Sequence, residues 1–176
     1  AQDGADVTIV GRRMDALEET DGGRAMTCRT LDVTDEASVQ ALFDAPFDIV
    51  IANAGAGKSA KLRDMTLADW KSTLDVNLTG TFLTFRAALA GMQAGGRLIA
   101  IASTAGLQGG PNISAYVAAK HGVIGLVRAL AKEVARDDIT CNAVCPGFVD
   151  TDMGQAAVTN VMTRFDIPRE KAEKMV

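Results

Sequence analysis

Residues 97–120 read RLIAIASTAGLQGGPNISAYVAAK, and this stretch decides the fold. Arg97 to Ala102 has the length and apolar content of a strand buried on both faces, and Ser103 to Gly110 is a small, polar, glycine-rich turn. A long helix then begins near Ser114 and keeps its apolar period to about Arg136. Strand, polar turn and long helix in that order form half of a unit in which helices connect parallel strands.

The same alternation continues in both directions. Downstream, Ile139 to Val144 reads as a strand stopped by Pro146-Gly147, and the tail after Thr151 reads as two helical pieces, the second starting near Pro168. Upstream, Thr66 and Asp69 make an approximate capping box for a long helix. Its apolar positions Leu67, Trp70, Leu74, Leu78, Phe82, Phe85 and Leu89 recur at spacings of three and four. Before it, Phe47 to Ala52 is a strand continuous in apolar residues, as one covered on both faces would be. Nearer the start come a strand over Val7 to Val10 closed by Gly11, a short helix from Met14 to Thr20, and a strand from Ala25 to Val33. Thr34 can cap the next helix, with Asp35 and Glu36 at its favourable dipole end. The expectation is an α/β fold with a doubly wound parallel sheet, in a single domain spanning residues 1–176.

Composition narrows the function. The 176 residues are 48% hydrophobic and 23% charged, enough for one sizeable core. A net charge of −4 and a pI near 5.0 argue against a nucleic-acid or anionic-membrane partner. No apolar stretch is long enough to span a bilayer. Three cysteines, Cys28, Cys141 and Cys145, do not make a disulfide framework, so a reducing cytoplasmic setting is expected. With His121 the lone histidine, no metal site is expected.

In a parallel α/β sheet, ligands bind beyond the carboxyl ends of the strands. Those ends carry Gly11-Arg12-Arg13, Asp32-Val33, Asn53-Ala54-Gly55, Ser103 to Gly106, and Pro146-Gly147. Any one such turn is ordinary strand-to-helix punctuation. Five in succession describe a ligand edge. Tyr116 and Lys120 are four apart and so share one helix face. An ammonium beside a phenol favours the phenolate and makes the tyrosine a usable general acid/base. Alone, such a pair is also what a solvated helix face carries. Ser103, thirteen positions before Tyr116 on the same edge, places a hydroxyl where it could donate to a substrate oxygen. Asn77 shares the apolar face of Trp70 and Leu74. It is either a satisfied core amide or a local break in the helix that holds a water for proton relay.

The ordered set Asn53-Ala54-Gly55, Asp75-Val76-Asn77, Ser103, Tyr116-x-x-x-Lys120 and Pro146-Gly147 resembles the short-chain dehydrogenase/reductase family, over about Gly4 to Met153. The resemblance implies a nicotinamide-dependent enzyme interconverting a ketone and a secondary alcohol. Tyr116 would be the general acid/base, and Ser103 would position the substrate oxygen. Lys120 would hold the nicotinamide ribose, and Asn77 would anchor a relay water. Asp32 and the Val33 backbone would meet the adenine. Asn53, Ala54 and Gly55 would line the cofactor cleft, with Pro146, Gly147, Val149 and Thr151 bordering the carboxamide. Residues 1–150 would be the core and 151–176 the start of a substrate-covering segment.

The wording of Ile139 to Met153 is similar to members acting on 3-oxoacyl or 3-hydroxyacyl thioesters, with a polyol or steroid-like alcohol as the alternative. A non-catalytic cofactor-binding member and a sugar-nucleotide epimerase are the competing classes. The ribose 2′ position falls at Gly11, with Arg12 and Arg13 beside it to face a 2′-phosphate, so NADP is expected ahead of NAD. Gly122 and Gly125 inside a helix suit close helix packing, as at the subunit interfaces of this family's homotetramers. His121, Cys141 and Cys145 are read as structural. The family's opening strand and Thr-Gly-x-x-x-Gly-x-Gly turn do not occur in these residues, nor does its last strand. The chain therefore reads as truncated at both ends, with a central strand expected between those ending at Gly11 and Ala52.

Overall fold

The structure is a computed structural model and describes residues 3–173. Five short strands alternate with helices as the periodicity predicts. Strand β1 (Thr8–Gly11) leads into α1 (Met14–Asp21), which ends where Gly22 takes a left-handed conformation. Strand β2 (Thr27–Thr30) precedes α2 (Glu36–Leu42). Strand β3 (Ile49–Ala52) is followed by a loop and then α3 (Leu67–Leu74). The Thr66 hydroxyl caps α3 by accepting from the Asp69 N–H at 3.1 Å and donating to the Asp69 carboxylate at 2.7 Å. Five residues of π-helix, Asp75–Thr79, then connect α3 to α4 (Gly80–Leu89). Strand β4 (Arg97–Ile101), helix α5 (Ser114–Glu133) and strand β5 (Thr140–Val144) complete the central unit. The tail holds α6 (Asp152–Phe165) and α7 (Arg169–Glu173).

All strand pairings are parallel, and they fall into two groups, parted where the sequence places a central strand between those ending at Gly11 and Ala52. β1 pairs with β2, Thr8 opposite Thr27, while β3, β4 and β5 form a second sheet in that order. Among the described residues, β1 and β3 do not hydrogen-bond to each other. On β3, Val50 and Ala52 pack into the core with Phe85 and Ala88, but Ile49 and Ile51 are 58% and 57% exposed. The described residues cover one face of this strand and leave the other open.

The larger core lies between β3–β5 and helices α4 and α5, where Phe85, Leu98, Ala100 and Val123 are almost wholly buried. A smaller cluster of Leu31, Val39 and Leu83 joins β2 and α2 to α4. Gly122 has a reason within the chain: a Cβ there would meet Leu78 Cδ2 at 2.8 Å. Gly122 thus shows the close helix packing expected of it, with α5 seated on the π-helical segment. Gly125, by contrast, faces open space.

Candidate active site

The carboxyl end of the three-stranded sheet gathers Ser103, Tyr116, Lys120 and Asn77. Ser103 follows β4 in extended conformation, its hydroxyl oxygen accepting from the Ala105 N–H at 3.1 Å. The turn that carries it packs directly on α5. A Cβ on Gly106 would lie 2.7 Å from the Lys120 carbonyl oxygen, closer than real contacts allow. Only a glycine lets the Ser103 turn approach the helix bearing Tyr116 and Lys120 this closely.

Lys120 is buried, and its ammonium donates to the Ile101 carbonyl at 2.8 Å. The Nζ atom lies 5.6 Å from the centre of the Tyr116 ring, so the predicted helix-face pair does meet. Burial disfavours the charged form and lowers the Lys120 pKa from 10.5 to about 8, with the Cys145 thiol opposing that shift. Cys145 was read as structural, yet it lies within electrostatic reach of the site lysine; its place just before Pro146 at a strand end was the signal for this. Cys141 fits its structural reading: it is buried on β5, and burial pushes its thiol up to about 11.

Asn77 lies in the π-helical segment, so the helix does break at this residue. Its side-chain amide donates to the Ala56 carbonyl at 2.5 Å and to the Thr73 carbonyl at 2.8 Å. The Asn77 Oδ1 atom is buried and has no hydrogen-bond partner among the described residues. A buried acceptor left open needs a partner from beyond them. A Cβ on Gly55 would lie 3.1 Å from that oxygen and 3.8 Å from Lys120 Nζ. Gly57, which the sequence reading passed over, performs the same service for Tyr116, whose Cδ2 would be 3.2 Å from an added Cβ. The alternating glycines of Asn53 to Gly57 were the available signal.

The Asn53–Gly55 loop is exposed beyond β3, as a cleft wall should be. Ala60 N–H donates to the carbonyl of Asn112 at 2.8 Å, tying this loop to the entry of α5. Across the edge, Thr104 N–H donates to the Pro146 carbonyl at 2.9 Å, and a Cβ on Gly147 would lie 3.9 Å from Thr104 Cγ2. Val149 is exposed, and Thr151 caps α6 by accepting from the Gly154 N–H at 3.2 Å. The remaining candidates belong to the other sheet. Asp32 accepts from the Thr34 N–H at 2.9 Å and the Thr34 hydroxyl at 2.7 Å. These bonds, with a smaller contribution from the Arg12 guanidinium, hold its carboxyl below the usual carboxylate range. Arg12 and Asp32 therefore share one electrostatic neighbourhood beyond β1 and β2. His121 lies on the exposed face of α5, its Nδ1 3.0 Å from the Val117 carbonyl. Among the described residues no group of three His, Cys, Asp or Glu side chains could hold a metal, and no helix is long and apolar enough to cross a membrane.

The residues fit a nicotinamide dinucleotide. The unpartnered Asn77 oxygen, the bare Gly55 and Gly57 backbone and the buried ammonium all meet at one strand edge.

Comparisons with known proteins give the chain's family. A 3beta-hydroxysteroid dehydrogenase of Mediterraneibacter gnavus is 36% identical over 181 residues, covering 94% of this chain and 64% of the relative. A 3-oxoacyl-[acyl-carrier-protein] reductase of Synechocystis is 46% identical over 108 residues, covering 60% of this chain and 44% of the relative. The crystal structure of an actinorhodin polyketide ketoreductase variant with NADPH superposes with a TM-score of 0.87 at 32% identity, covering 97% of this chain and 71% of that one. The chain thus spans less than two thirds of the length of these two curated relatives. A family model described as short chain dehydrogenase matches residues 1–161, and the chain belongs to that family.

Proposed function

We propose that the protein is an oxidoreductase that interconverts a ketone and a secondary alcohol with a nicotinamide cofactor, NADP(H) ahead of NAD(H). The observation that carries this is the buried Lys120 ammonium, anchored on the Ile101 carbonyl and 5.6 Å from the Tyr116 ring, on the edge that also carries Ser103. In reduction, the Ser103 and Tyr116 hydroxyls donate to the ketone oxygen, and Tyr116 delivers the proton. Below about pH 8 the Lys120 ammonium stabilises the phenolate left behind. The open Asn77 oxygen holds a water that returns the proton from solvent through Lys120. Lys120 and Tyr116 hold the nicotinamide ribose, Asn53 to Gly55 line the cleft, and Pro146, Gly147, Val149 and Thr151 border the carboxamide. The nicotinamide, when bound, supplies or accepts the hydride.

The substrate class proposed is a 3-oxoacyl or 3-hydroxyacyl thioester. Relatives named as 3-oxoacyl-[acyl-carrier-protein] reductase and ketoacyl reductase support it. The hydroxysteroid dehydrogenase among the relatives keeps a steroid alcohol as the second reading. Residues 1–176 form one domain, with 151–176 opening the substrate cover. A homotetramer is the proposed assembly, supported by the 42% exposed Phe82 on α4 and the open face at Gly125 on α5. A cytoplasmic setting accords with three free cysteines. The test is turnover of the full-length protein on 3-oxoacyl thioesters, hydroxysteroids and simple ketones with each cofactor. Absence of turnover on all of them would remove the reading.

Cofactor choice gives a separate prediction. Arg12 acts electrostatically on Asp32, beside the ribose end of the cleft. Arg12→Ala is expected to lower kcat/KM with NADPH by roughly 10–100-fold, the effect of one charge-assisted contact, and to leave NADH nearly unaffected. A wild-type preference for NADH, or equal losses with both cofactors, would make Arg12 a surface charge only.

A further inference from the structure

Beside the Leu31, Val39 and Leu83 cluster, one close contact joins the Asp32–Val33 turn to the helix that follows Asn77. Gly80, the first residue of α4, lies against Val33, and a Cβ on Gly80 would be 2.8 Å from Val33 Cγ2, 3.2 Å from its Cβ and 3.4 Å from its carbonyl oxygen. Gly80 is buried, and its own φ of −60° and ψ of −40° are ordinary helical values, so the backbone itself does not require a glycine. The requirement comes from Val33.

We infer that Gly80 is a positioning residue for the adenine end of the cofactor site, setting the Asp32–Val33 turn at its working distance from the helix that carries Asn77. This rests on the proposed assignment of Asp32 and the Val33 backbone to the adenine.

Three observations carry the inference. A β-branched valine is stiff at χ1 and has no far end to swing away, so an added methyl must move the Val33 backbone. The turn has little slack to absorb that movement at the other end: Asp32 is fastened to Thr34 by two hydrogen bonds, and the Leu31 N–H donates to the Gly11 carbonyl at 2.8 Å. Asn77 lies one helical turn before Gly80, held by the Thr73 and Ala56 carbonyls. The rigid segment Asn77–Gly80 therefore gauges the separation between the two ends of the cleft, one end through a side-chain amide and the other through a missing side chain. Ser103, Tyr116 and Lys120 stand on β4 and α5 and do not share this contact.

The test is a double-mutant cycle in the full-length protein: Gly80→Ala, Val33→Ala and both together, read by titration calorimetry with NADPH and by steady-state kinetics. Gly80→Ala should weaken NADPH binding roughly ten-fold, an overpacking effect, while kcat at saturating cofactor stays within about three-fold of wild type. Removing the Val33 methyls should cancel the loss, so that the double variant binds like Val33→Ala alone. A general loss of stability would instead lower kcat and the active fraction together and would not be rescued at Val33. If Gly80→Ala alone does not fold, the double variant, in which the crowding is relieved, decides the matter: it should fold and bind NADPH like Val33→Ala. Weaker NADPH binding by Gly80→Ala with kcat kept supports the inference. Wild-type affinity in Gly80→Ala, additive effects in the cycle, or a double variant that also fails to fold overturns it. A wild-type protein that binds neither NADPH nor NADH would instead remove the proposed function on which it rests.

Discussion

Replacing Tyr116 with phenylalanine is expected to lower kcat by at least roughly 10²–10⁴-fold, the loss typical of removing a general acid/base, while cofactor affinity falls by no more than the roughly ten-fold of one lost hydrogen bond. The ring would still pack against Gly57, and Lys120 would keep its bond to the Ile101 carbonyl. What disappears is the one hydroxyl that can exchange a proton with the substrate oxygen under the influence of the ammonium 5.6 Å from the ring centre. The loss should appear in kcat and kcat/KM alike, because the proton moves in the transition state. Steady-state kinetics with NADPH titrations in parallel checks it. Near-normal turnover with unchanged binding would remove Tyr116 from the mechanism and leave Ser103 as the remaining hydroxyl at this edge.

Lys120→Met should separate activity from stability. Turnover is expected to fall by roughly 10²–10³-fold, as when one preorganised electrostatic contact is lost. Stability should move the other way. Folding lowers the Lys120 pKa from 10.5 to about 8, so the unfolded chain holds more protons through that window. The wild-type protein then gains stability as pH rises from about 8 toward 10.5, and below pH 8 it carries the full penalty of a buried ammonium. The gap corresponds to roughly 3 kcal/mol, opposed by about 1 kcal/mol for the Ile101 carbonyl left without its donor. The Tm of the methionine variant should exceed that of wild type at pH 7, and the difference should shrink as pH approaches 10.5. Calorimetric scans from pH 6.5 to 10 read both trends. A difference that is flat with pH would mean that the ammonium is not desolvated in the folded chain.

The sequence was most informative where spacing fixes geometry. Tyr116 and Lys120 had to share a face once the helix was recognised, and Ser103 had to stand at the strand edge once 97–102 was read as a strand. The glycine contacts could not be read in the same way. A glycine in a turn looks alike whether it supplies backbone freedom or a gap, and only the packed structure shows Gly106 against the Lys120 carbonyl and Gly57 against Tyr116. Gly122 carried a similar ambiguity, and its neighbour proved to be Leu78 of the same chain. The burial of β3 was legible for one face. An apolar run records what a strand can cover, and Ile49 and Ile51 lie on a face that the described residues leave open. The π-helical break at Asn77 was legible only as an alternative, since a polar residue on an apolar face fits a satisfied core amide equally well.

Among the described residues the two hydrophobic clusters are unequal, and so is their resistance to local opening. Fifteen buried residues hold β3, β4 and β5 to their helices, whereas Leu31, Val39 and Leu83 are the buried members of the cluster that holds the β1–β2 side. Cooperative segments open at free energies that follow such burial. The amide protons of Ile9, Val10 and Cys28 should therefore exchange with deuterium well before those of Leu98 and Ile99, through a partial unfolding that leaves the catalytic edge intact. Because the Asp32–Val33 turn, proposed to meet the adenine, belongs to the weaker segment, a dinucleotide at 100 times its Kd should slow exchange there by about 100-fold if only the closed form binds it. Cofactor concentration would then set how much of the population has its β1–β2 unit folded at any moment, and with it the protein's exposure to proteolysis.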